Sequence, residues 1–117
     1  MEFCSLKGFT AVRELRTADG TRIDLAIFGE KGKKVVAVEF ENSYKWIKQR
    51  TLYNAIKAHR EGFNHLIIVY PFKSDPLKNS WVMNFIENEL GMRVSLVKPE
   101  ELLNFLEKNI EDFYSFS

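Results

Sequence analysis

The sequence predicts an α/β (α+β) fold: a mixed sheet built from a three-stranded meander followed by βα units, in the order β-β-β-α-β-α-β-α. Three observations predict it. The first forty residues hold three short apolar runs separated by glycine-containing turns. From residue 42 onward the apolar spacing lengthens to the helical period. Short continuous apolar runs then alternate with helical stretches bounded by Gly or Pro, which places helices on the faces of the sheet.

Taken in order, Thr10–Arg16 alternates weakly through Val12 and Leu15 and ends at the turn Ala18-Asp19-Gly20-Thr21. Arg22–Phe28 sets Ile23, Leu25 and Ile27 against Arg22, Asp24 and Ala26, the pattern of a half-buried strand. Gly29-Glu30-Lys31-Gly32-Lys33-Lys34 forms a second hairpin turn. Val35–Phe40 is β-branched and apolar, as a central strand should be. Asn42-Ser43 can cap a helix over Tyr44–His59, with Gly62 as its stop. His65–Tyr70 is a continuous apolar strand halted by Pro71. A second helix is expected over Pro76–Leu90, closed by Gly91. Arg93–Val97 is the last strand, and Pro99 or Glu100 opens a final helix to about Phe113. Phe63, Tyr70, Phe72, Trp81 and Phe85 are expected to fill the core, and the aromatic tail Phe113-Tyr114-Ser115-Phe116 to dock on the domain or on a second subunit.

Composition narrows the class. The chain has 117 residues, 45% hydrophobic and 28% charged, which suits one globular domain over residues 1–117. A single cysteine, Cys4, excludes an internal disulfide framework and a cysteine-built zinc site. The longest apolar runs fall far short of the ~20 residues that span a bilayer, and Met1–Phe9 lacks a signal-peptide core, so no membrane partner and a cytoplasmic location are expected. The net charge of +1 hides an asymmetry. Residues 1–60 hold 12 Lys/Arg and 7 Asp/Glu, whereas residues 61–117 hold 5 and 9. Such a split points to a charged partner on one side. His59 and His65 have no partner at ligand spacing and read as structural.

The chemistry is carried by carboxylates inside strands. Asp and Glu are disfavoured there, and a buried charge is costly unless paired or bound to metal. Asp24 lies between Ile23 and Leu25, and Glu39 and Glu41 flank Phe40 at the end of the third strand. Residues i and i+2 share a face, so Glu39 and Glu41 project together. Adjacent antiparallel strands would bring Asp24 beside them. A cluster of three carboxylates needs a divalent cation, and oxygen-only ligation suits Mg²⁺ or Mn²⁺.

Asp24, then Glu39-x-Glu41 at the end of the next strand, then a helix carrying Gln49-Arg50-Thr51-Leu52-Tyr53, resembles the PD-(D/E)XK nuclease superfamily, in particular its RecB-like and Holliday-junction-resolvase-like branch. The resemblance covers about residues 10–72. It implies a restriction-endonuclease-like core and metal-dependent hydrolysis of DNA phosphodiester bonds, in repair or recombination. By the same resemblance, Asp24 and Glu39 would hold the metal with the Phe40 carbonyl, and Glu41, standing where the family has Lys, would bind metal or act as base. Lys45 or Lys48 would supply the displaced ammonium. Gln49 and Tyr53, at i and i+4 on one helix face, would position ligands or the phosphate.

Around these, Arg13, Arg16, Arg22, Lys31, Lys33, Lys34, Lys48 and Arg50 would contact DNA phosphates. The Glu-x-Glu departure leaves a second expectation, a catalytically inactive nuclease-fold module for DNA binding or assembly. The superfamily's usual first helix has no room before Thr10. Glu14 is either the acid that helix often carries or an exposed strand residue, and the helix is either dispensable or replaced by a partner, such as a second copy in a homodimer, or by an upstream segment.

Overall fold

In the computed structural model, residues 8–115 are described. Five strands, β1 (Thr10–Arg16), β2 (Arg22–Phe28), β3 (Lys34–Phe40), β4 (His65–Val69) and β5 (Arg93–Val97), form one sheet in chain order. The first three make an antiparallel meander; β4 pairs parallel to β3, and β5 parallel to β4. Three helices follow the meander and its parallel additions: α1 (Ile47–Arg60), α2 (Trp81–Glu89) and α3 (Leu102–Ser115). The expected element order is the observed one. No described helix is long and apolar enough to cross a membrane.

Helices cover both faces of the sheet. On one face Leu25, Ile27, Val36, Val38, Ile67 and Val69 pack with Leu102, Leu106, Ile110 and Phe113 of α3. On the other, Ala26, Ala37, Leu66 and Ile68 pack with Ala55 and Ala58 of α1 and with Val82 and Ile86 of α2. Ala26 faces Ala37 across the ladder, and this small pair lets the alanine stripe of α1 lie close to the sheet. Ala26, expected on the outer face of a half-buried strand, is therefore fully buried. Each large aliphatic side chain buried in these layers contributes ~1.5–3 kcal/mol.

The turn chemistry explains most boundaries. At the first hairpin, Asp19 Oδ1 accepts from Thr17 Oγ1 at 2.5 Å, Thr21 Oγ1 at 2.8 Å and the Thr21 amide at 3.2 Å. These bonds favour the charged form and hold the Asp19 carboxyl down to about 2. The second hairpin is a single 3-10 turn, Glu30–Gly32, followed by a bulge that shifts the register between Ile27 and Phe28.

Three expectations are corrected. The first helix begins at Ile47 rather than Tyr44, because Ser43 Oγ accepts from the Trp46 amide and closes a turn ahead of it. The second begins at Trp81 rather than Pro76: Asp75 Oδ1 binds the Leu77 and Lys78 amides, Asn79 takes a left-handed φ of 59°, and Ser80 caps the helix by accepting from Met83. Phe63 and Tyr70 are buried, but Phe72, Trp81 and Phe85 are not core residues. The apolar stripe of α2 that faces the sheet is Val82 and Ile86, one position on from Trp81 and Phe85. In the tail, Phe113 is buried and Tyr114 packs edge-on against Phe9, so this part docks on its own domain. Cys4 and Phe116 lie outside the described residues.

Candidate functional site

The last ladder pair between β2 and β3 at one end of the hairpin is Leu25 with Val38. Beyond it the backbones stop pairing and two carboxylates take over. Asp24 Oδ2 accepts from the Phe40 amide at 2.9 Å, and Glu39 Oε1 accepts from the Asp24 amide at 3.3 Å. The expected neighbourhood of Asp24 and Glu39 is thus formed by reciprocal side-chain bonds across the splayed strand ends.

Helix α1 roofs this fork. Lys57, nearly buried, places Nζ 2.9 Å from Glu39 Oε2 and donates to the Arg22 carbonyl at 2.5 Å. Arg50 holds Glu41 with both branches, Nε to Oε2 at 3.1 Å and Nη2 to Oε1 at 3.1 Å, and Asn54 Nδ2 adds a bond at 3.4 Å. These side chains, with Thr21, Arg22, Asp24, Phe40 and Tyr53, line an open cavity of about 530 Å³. Asp24 and Phe40 also border a second cavity of about 580 Å³ with Arg13, Glu14, Leu25 and Leu102.

Burial dominates the electrostatics. Removal from water pushes the Glu39 carboxyl up to about 7, and the charge of nearby Asp24 adds to the rise. The Lys57 ammonium and the Asp24 amide oppose it without cancelling it.

The three predicted acids all line one cavity, but they do not form a bare triad. Among the described residues no three Asp, Glu, His or Cys side chains converge closely enough to hold an ion. Glu41 is taken by Arg50 and Asn54 and Glu39 by Lys57, while the Asp24 carboxylate is held, among the described residues, by the Phe40 amide alone. Tyr53 lines the cavity, whereas Gln49 is exposed and outside it. Lys45 and Lys48 are exposed and outside it too, Lys45 lying over the Trp46 ring at 5.1 Å. The ammonium at the site is that of Lys57. Its residue type alone does not mark it, because a lysine in a helix is ordinarily solvated. The available signal was its spacing: residues 50, 54 and 57 share a helix face, next to Tyr53.

The basic residues divide. Arg22 pairs with Glu14 at 2.8 Å, which occupies that acid at an exposed edge, and Arg16 reaches only the Gly20 carbonyl. Lys31, Lys33 and Lys34 lie at the opposite end of the β2–β3 hairpin, roughly 15–20 Å along the strands from Glu39. There Lys33 donates to the Tyr114 carbonyl at 2.7 Å and Lys34 to that of Glu61. No protein-family model matches the chain, and a search of curated proteins finds no significant relative.

Proposed function

We propose that the protein is a metal-dependent nuclease that hydrolyses DNA phosphodiester bonds on a restriction-endonuclease-like core of the PD-(D/E)XK type. One observation carries the reading: Asp24 and Glu39 meet at the open end of neighbouring strands, with a nearly buried lysine ammonium, Lys57, against Glu39. Two acids and an ammonium are the chemical content of the superfamily's Asp followed by Glu-x-Lys. Here the ammonium comes from α1 instead of position 41.

The two carboxylates are oxygen donors of the kind that would suit a single hard cation. Backbone amides engage one oxygen of Asp24 and one of Glu39 and fix both carboxylates; the second oxygen of Asp24 remains for a ligand, whereas that of Glu39 would be shared with the Lys57 ammonium 2.9 Å away. With the Phe40 carbonyl and waters these suit Mg²⁺ or Mn²⁺. A bound ion would acidify water and neutralise charge building on the phosphate. The chain's own residues do the remainder. Lys57 offers a directed positive charge for a phosphate oxygen, Tyr53 stands at the mouth, and Arg50 locks Glu41 in place.

A second reading, an inactive DNA-binding or assembly module, is favoured by one fact: Glu39 and Glu41 already have cationic partners in Lys57 and Arg50. Cleavage of plasmid, single-stranded and branched DNA with Mg²⁺ or Mn²⁺ decides. Asp24→Asn and Glu39→Gln should abolish cleavage, and Lys57→Ala should slow it by about 10²–10⁴-fold. No cleavage of any substrate would leave the second reading.

A further inference from the structure

Large aromatic side chains are exposed along one edge of the molecule. Phe40 ends β3 and is 51% exposed; Tyr44 and Trp46, in the loop that follows, are 59% and 50% exposed; Phe72, just after β4, is 39% exposed. Phe40 is paired with Val69 in the parallel ladder, so both loops leave the same end of the sheet. Tyr44 and Phe72 bridge them edge-to-face with centroids 5.8 Å apart, and Tyr70 backs Phe72 at 5.0 Å. Phe40 also lines the acidic cavity. Exposed lysines interleave with these rings: Lys45 over Trp46, Lys48 a turn further on, and Lys73 beside Phe72.

Resting on the nuclease reading, we propose that this rim is a stacking platform for unpaired nucleotides, which selects single-stranded or splayed nucleic acid for the adjacent cavity. Each of these aromatics is substantially exposed, and neighbouring lysines match the phosphate that accompanies each base. A continuous duplex keeps its base faces inside the stack and has nothing to present to Phe40, Tyr44, Trp46 or Phe72. The two-ring contact between Tyr44 and Phe72 fixes part of the surface in advance, so less ordering is needed on binding.

The test is binding of the full chain, in EDTA so that nothing is cut, to labelled 20-nucleotide dT, its rU counterpart and a mixed-sequence duplex. Single strands should bind at least tenfold more tightly than duplex and quench tryptophan emission. Comparison of dT with rU shows whether the sugar is read as well. Tyr44→Ala and Trp46→Ala should each weaken single-strand binding about tenfold, and Trp46→Phe should restore most of it. Equal binding of single strand and duplex, or variants without effect, overturns the proposal. So does self-association in place of nucleic-acid binding, abolished by the same variants, which would make the rim a protein interface. Aromatic-dependent strand binding without Mg²⁺-dependent cleavage would retain the platform and refute the nuclease; cleavage of duplex with no strand preference would do the reverse.

Discussion

Replacing Glu39 with Gln should change how stability depends on pH. The carboxyl rises from its ordinary value of 4.5 to about 7 in the folded protein. At 1.36 kcal/mol per pH unit, that difference is worth roughly 3 kcal/mol. The folded state binds this proton more tightly than the unfolded chain does. The contribution is therefore complete below pH 4.5 and is lost as pH rises through about 7. Gln keeps the acceptor for the Asp24 amide but does not titrate. The Lys57 ammonium loses its counter-charge in the variant, a cost that does not follow the Glu39 titration. Urea unfolding of wild type and Glu39→Gln, in EDTA at intervals from pH 4 to 9, reads the difference directly. Wild-type stability minus variant stability should fall by roughly 3 kcal/mol between pH 4.5 and 8, a sizeable part of a total typically near 5–15 kcal/mol. A difference that stays flat across the range would refute the account of Glu39 as a carboxylate destabilised by burial.

Two other outcomes are expected. A methyl group on Gly29 would collide with the Tyr114 ring and press on Val35, so Gly29→Ala should cost about 1–3 kcal/mol in thermal or urea unfolding and reduce the near-ultraviolet signal of Tyr114. His65 is buried against Phe113, and burial with the nearby Arg93 charge lowers its pKa. Its contribution is full above pH 6.5 and lost as pH falls, so His65→Phe should flatten the acid limb of a melting-temperature profile between pH 7 and 5.

The strands were legible because apolar alternation and Asp-Gly or Gly-Lys turns act locally. Thr10–Arg16, Arg22–Phe28 and Arg93–Val97 are the expected spans. Helix starts were less legible, since Ser43 and Asp75 bind amides of turns with the same chemistry that would cap a helix. Trp81 and Phe85 are not distinguished from Val82 and Ile86 by sequence because two apolar stripes run side by side on α2, and only tertiary packing selects the one that faces the sheet. At the site, the shared face of Glu39 and Glu41 followed from the strand period. The partners Lys57 and Arg50 did not, because which turn of α1 lies over the strand ends depends on where α1 starts and how it crosses the sheet.

The reciprocal bonds of Asp24 and Glu39 give the acids a structural duty. They hem the sheet, taking the amides that the splayed ladder no longer pairs. Removing an acid from a buried site commonly relieves a protein. Here truncation of Asp24 to Ala would also unpick the end of β3, freeing the Phe40 amide to exchange with solvent. Loss of the proposed chemistry and loss of shape would then coincide in one variant, and only the amide-bearing replacements would separate them.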